Sequence, residues 1–140
     1  RCLVGTDESR WFVRRLTRFG IDVEWVDPAD LDAAAAASDL VVIGAAAACP
    51  RLVLASPDAC AAAAAGAAAR LPVWLVAGVG VALPPRVVDT IAAAAPDLEP
   101  LDLGVVARVV GPGGADADVA AALRTDAPLA PELLRAVPAR

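Results

Sequence analysis

The chain has 140 residues, 36 of them alanine, so its 59% apolar fraction overstates the bulky side chains available for a core; the 19 Val and 16 Leu suffice for one domain over 1–140 and argue against two. There is no His, Lys, Asn, Gln, Tyr or Met, which excludes imidazole bases, lysine Schiff bases, a P-loop lysine and His-containing metal sites, and leaves Asp, Glu, Arg, Ser, Thr and three Cys for chemistry. A net charge of −5, with all 12 basic residues Arg and mostly scattered, speaks against a nucleic-acid surface.

Short apolar runs alternate with longer Arg- or Ala-rich segments along the chain, the sequence form of a parallel α/β sheet. Cys2-Leu3-Val4-Gly5 is the first run. Trp11, Phe12, Val13, Leu16 and Phe19 follow at spacings of a helix, with Arg10, Arg14, Arg15 and Arg18 between them and Gly20 at the stop. Ile21 to Val26 alternates with period two and predicts a strand near a sheet edge. Asp27-Pro28 opens a helix running to about Ala37, with Asp as cap and Pro at the first helical position. Asp39-Leu40-Val41-Val42-Ile43-Gly44 reads as a central strand because its apolar run is continuous and β-branched.

From Ala45 to Ala55 the pattern is ambiguous, since Pro50 forbids a simple helix and Leu52-Val53-Leu54 allows a short extra strand. Ser56-Pro57 starts an Ala-rich helix carrying Cys60 and Gly66, thin enough to approach a sheet closely. Val73 to Gly78 is the next central strand, Pro85 to Ala95 a helix, and Leu103 to Val110 the last strand before Gly111-Pro112-Gly113-Gly114. Beyond Ala115 the tail supplies one or two short helices. The longest uncharged stretch, Leu71 to Pro85, is too short and too broken by Pro and Gly to span a bilayer, so no membrane partner is expected. Cys2, Cys49 and Cys60 lack CxxC spacing and read as reduced thiols of a cytoplasmic protein. Arg1 stands at the start of a strand, which is compatible with a fragment lacking its native N-terminus. The expectation is a three-layer Rossmann-like α/β domain, a mainly parallel sheet of about five strands with helices on both faces.

Ligands of such sheets bind at the carboxyl ends of the strands. Of the loops there, only Thr6-Asp7-Glu8-Ser9-Arg10 is dense in polar groups: a helix start with free N–H groups, hydroxyls and a guanidinium could hold a phosphate or a sugar diol. Helix capping by Asp7 or Ser9 explains the same residues. Gly111 to Gly114 lacks both the GxGxxG spacing and the P-loop lysine and reads as a turn, and Gly78-Val79-Gly80 is equally uninformative. Cys49, with no His available to activate it, reads as a structural thiol. The three Trp read as packing or interface residues.

Taken in order, Glu8-Ser9-Arg10, the Arg-rich helix ending Gly20-Ile21-Asp22-Val23, Asp39-Leu40-Val41-Val42-Ile43-Gly44-Ala45, Leu71-Pro72-Val73-Trp74-Leu75-Val76-Ala77 and Ala130-Pro131-Glu132-Leu133-Leu134 resemble one superfamily. It comprises the translation initiation factor 2B alpha, beta and delta subunits and the isomerases of methylthioribose 1-phosphate and ribose 1,5-bisphosphate, whose C-terminal domain is Rossmann-like. The resemblance implies a ligand facing Thr6, Glu8, Ser9, Arg10 and Gly44, a homodimer, and no cofactor or metal. In the isomerases the Asp of a Gly-Ala-Asp motif moves the proton, whereas this chain reads Gly44-Ala45-Ala46; the family's following Asn- and Lys-containing stretches are also missing around Ala55-Ser56-Pro57-Asp58-Ala59. The family's catalytic Cys precedes this domain, so Cys2 does not take that role. The reading is therefore an initiation factor 2B-like, degenerate relative that binds a sugar phosphate or nucleotide without catalysis. One alternative is an active aldose-ketose phosphate isomerase using Asp7, Glu8 or Asp58; the other is a structural or assembly domain.

Overall fold

The computed structural model describes residues 2–4, 10–125, 127–129 and 131–134. The five strands predicted from the sequence are all present, and all pair in parallel. β1 (Cys2–Val4) pairs with β2 (Val23–Trp25), while β3 (Val41–Gly44), β6 (Val73–Val76) and β8 (Val106–Gly111) lie side by side in that order. Among the described residues these belong to two separate sheets. β9 (Gly114–Asp116) adds an antiparallel edge to β8 across the Pro112-Gly113 turn, so the glycine-rich segment is a hairpin in which Gly111 faces Gly114, the latter at φ +110°.

The ambiguous stretch after β3 resolves into a hairpin. β4 (Ala47–Cys49) and β5 (Leu52–Ala55) pair antiparallel across Pro50-Arg51, and β7 (Glu99–Leu101), which the sequence reading missed, extends them to three strands. Pro50 sits in the turn, where its missing N–H costs no ladder bond. A second, smaller core forms here from Ala47, Cys49, Leu54 and Val88, the last from α4 (Pro85–Ala94). Arg51 donates to the Asp89 carboxylate, tying the hairpin turn to α4 at an exposed position. That contact also raises the Arg51 pKa, first through the hydrogen bond and then through the charge of Asp89.

Helix boundaries follow their local chemistry. α1 (Arg10–Arg18) ends at Gly20, which takes the left-handed φ of +74°. Asp27 accepts from the Ala29 N–H, and a 3-10 turn over Pro28–Asp30 leads into α2 (Leu31–Ala36). Ser56 caps α3 (Pro57–Ala68) by accepting from the Ala59 N–H. α5 (Val119–Ala122) is capped by Asp118. None of the described helices is long and apolar enough to cross a membrane.

The main core lies on one side of the β3–β6–β8 sheet. Register aligns Val41 with Val73 and Val106, and Ile43 with Leu75 and Val109; all six are buried, together with Ala35, Ala63 and Leu123 from the helices. Removing side chains of this size from water contributes about 1.5–3 kcal/mol each. The helix over this face is α3, whose buried residues are Ala63 and Gly66. A methyl group on Gly66 would stand 2.7 Å from Val41 Cγ2 and 3.3 Å from Val73 Cγ2. The two alternate positions of each strand point the other way, and there Val42 is 55% and Val76 38% exposed. Val42, Trp74 and Arg108 form one cross-strand row on that second face, and Gly44, Val76 and Val110 the next.

Two opposite substitutions on α3 test the close approach. Gly66→Ala improves helix propensity by about 1 kcal/mol, yet crowding a stiff, buried valine costs about 1–3 kcal/mol, so the urea midpoint should fall. Ala64→Gly, on the exposed side, should also lower it, by propensity alone. A stabilised Gly66→Ala would mean that the helix does not need this glycine.

Candidate functional site

The carboxyl ends of β3 and β6 deliver two loops to one end of the sheet, Gly44-Ala45-Ala46 and Ala77-Gly78-Val79-Gly80. The crossover helix α3 runs back toward the start of β6, so its first turn, with Ser56 and Asp58, lies at this same end. The rim these segments make is bare. A methyl at Gly44 or Gly78 would meet nothing within 4 Å, and Val79 is 90% exposed.

Three backbone donors at this rim are committed to the protein itself. The Ala45 N–H donates to the Val76 carbonyl at 3.0 Å, Ala46 to Leu54 at 2.8 Å, and Ala77 to Val110 at 2.9 Å. These amides carry the ladders one residue past the named strands and are not free to hold an anion. Ala46 presents only an exposed methyl. Asp58 is exposed in the first turn of α3, and the Ser56 hydroxyl beside it is occupied with the cap.

Of the residues predicted to face a ligand, Thr6, Glu8 and Ser9 lie outside the described residues, as does Asp7. Arg10 is the first residue of α1, and Gly44 closes β3 at the rim. Two thiols are described, and both are free. Cys49 is fully buried in the smaller core, and Cys60 is a half-buried free thiol whose Sγ–H donates to the Glu99 carbonyl at 3.9 Å. Burial, and then the nearby Glu99 charge, push the Cys60 pKa up from its ordinary 9.0, so it is protonated at neutral pH. No group of three or more His, Cys, Asp and Glu able to hold a metal occurs among the described residues.

No family model and no curated protein sequence matches the chain. Solved structures do match. Over 83% of this chain and 38% of the other, the backbone follows eIF2B beta from Chaetomium thermophilum with a TM-score of 0.66 at 18% identity. Over 85% of this chain and 43% of the other, it follows a chain of the tetrameric eIF2B-beta2-delta2 complex from the same fungus, with a TM-score of 0.69 at 17% identity. The fold is eIF2B-like. The chain spans about two fifths of the length of these solved relatives. At such identity the likeness lies in the path of the backbone. Sequence reasoning missed the second, partly open face of the sheet, because Val42 and Val76 are as apolar as their buried neighbours and only the pairing shows which way they point.

The thiols give a direct check. Cys49 should resist a disulfide reagent in the native protein, and Cys60 should react more slowly at neutral pH than in the denatured chain. Because the folded Cys60 titrates above the denatured group, its contribution to stability is complete below about pH 9 and is lost as pH rises through the folded value. Cys60→Ala should flatten that alkaline decline in a series of melts; an unchanged decline would locate its cause elsewhere.

Proposed function

We propose that this chain is an initiation factor 2B-like domain, a degenerate relative of the sugar-phosphate isomerases that binds a sugar phosphate or nucleotide without converting it and associates as a homodimer in the cytoplasm. The observation that carries the non-catalytic part is Ala46: a methyl at the strand end, its amide bonded to Leu54, where the isomerase pattern requires an acid/base carboxylate. Ligand binding rests on Glu8-Ser9-Arg10 leading into α1, where a guanidinium and the first amides of a helix favour an anion. The two described thiols, both free, fit a reducing compartment.

The second face of the β3–β6–β8 sheet supports the homodimer. Parallel sheets are ordinarily covered on both faces, and this one leaves Val42, Val76 and half-buried Trp74 in contact with water. Apart from Arg108 the two cross-strand rows are uncharged, so the face can meet its own copy about a two-fold axis. The solved eIF2B-beta2-delta2 complex is itself a tetramer. The same face favours the second reading, a purely structural or assembly domain.

Thermal melts with ribose phosphates and nucleoside monophosphates separate the readings. A ligand present at about 100 times its Kd stabilises the native state by about 2.7 kcal/mol, so one of these compounds should raise the melting temperature, and Arg10→Ala should remove the rise. No shift with any of them leaves the assembly reading; turnover of a pentose phosphate would restore the isomerase. For the dimer, sedimentation should give twice the chain mass, falling to one chain in Val42→Asp with Val76→Asp. A wild-type monomer at high concentration would refute it.

A further inference from the structure

Beyond Arg10, which belongs to the proposed ligand site, α1 carries a concentration of positive charge of its own. α1 carries four Arg and no acid in a chain of net −5, so the other residues together carry −9. Trp11, Arg14, Arg15, Arg18 and Phe19 recur at helical spacing and line a shallow groove of about 450 Å³. Val13 and Leu16, half-buried, occupy the other side of the helix. Trp11 and Phe19 are 64% and 73% exposed, and among the described residues Arg14, Arg15 and Arg18 have no carboxylate partner. Arg15 and Arg18 in the last turn complement the helix dipole, which accounts for some positive charge there. It does not account for Arg14 or for two large aromatic rings left in water. Arg14 with Arg18 and Arg15 with Arg18 are also like-charge pairs at helical contact spacing, with no ion-pair partner among the described residues.

We propose that this face of α1 docks an acidic peptide segment, bearing apolar side chains, of a partner protein. The guanidiniums would pair with its carboxylates, and Trp11 and Phe19, about 12 Å apart along the axis, would take its apolar side chains. Arg and Trp are the residue types that most often dominate such interfaces. Two rivals fit less well. A long nucleic acid would run from the helix onto a body of net negative charge. A second copy meeting this face about a two-fold axis would set Arg against Arg. The groove is distinct from the sheet face and the strand-end rim, so it stands or falls independently of the dimer and the phosphate ligand.

The probe is a fluorescein-labelled peptide of glutamates with two leucines about four residues apart, a span of about 13 Å when extended. Fluorescence anisotropy should show saturable binding that weakens about tenfold or more, or about 1.4 kcal/mol, when Arg14, Arg15 and Arg18 are changed to Glu. The reversed protein should instead bind the corresponding lysine peptide, which the wild type does not. Trp11→Ala should weaken the leucine peptide more than a glycine-for-leucine version, a coupling that charge alone would not produce. All these side chains are exposed, and the melting temperature checks each fold; the single change Arg15→Gln should still weaken binding at least severalfold. The proposal is overturned by absence of saturable binding, by equal binding to the reversed protein, by displacement of the peptide with inorganic phosphate at matched ionic strength, or by tighter binding to a single-stranded oligonucleotide or phosphatidylserine vesicles.

Discussion

Everything else in the structure hangs on how closely α3 can lie on the sheet. With 8 of its 12 residues alanine and Gly66 against Val41 and Val73, the helix brings little volume to the interface. The valines and leucines of β3, β6 and β8 fill the gap from their side, and the six residues of the two inner rows are buried as a result. A larger residue at 66 would lift the helix and open a void along both rows, because interiors at crystal-like density do not absorb an extra methyl without strain. The alanine-rich composition is therefore a packing solution, in which the bulk of the core comes from the strands and the helix acts as a thin cover.

That solution has a consequence for the site. A helix and loops built from Ala and Gly bring backbone to the strand ends but few groups that titrate or bond. At the rim the amides of Ala45, Ala46 and Ala77 continue the pairing between strands, and the side chains beside them are hydrogen or methyl. The groups that make a proton-transfer site on such a frame have to be side chains, since backbone amides do not titrate near neutral pH. The eIF2B-like fold and the chemistry it carries are thus separable, and among the described residues the rim offers few polar side chains.

How much of this could be read from the residues follows from the range of the forces involved. The five parallel strands were legible because continuous Val and Leu runs bounded by Gly, Pro and Asp are a local signal, as were the Ser56 cap and the Gly20 stop. Pro50 correctly ruled out a helix, but the partner of Leu52–Ala55 was Ala47–Cys49, and alanine gives no strand signal of its own. β7 was missed for the same kind of reason: Glu99-Pro100-Leu101 is a strand only because β5 offers it an edge. At the site, that position 46 carries a methyl and no carboxylate was fully visible in the sequence. The exposure of Val42 was not, because its neighbour Val41 is chemically identical and lies on the covered face.

The two uncovered surfaces differ in the way that decides what each can meet. On the second face of the sheet the exposed side chains are Val42 and Val76, with a single charge at Arg108, so two copies can approach without bringing like charges together. On α1 the aromatic rings are interleaved with Arg14, Arg15 and Arg18, and a copy of the same face repels it. Self-association through the sheet therefore leaves α1 free, and an acidic segment on α1 leaves the sheet free. Because a charge reversal on the helix and an aspartate on the sheet act on different contacts, each should alter its own equilibrium and leave the other unchanged.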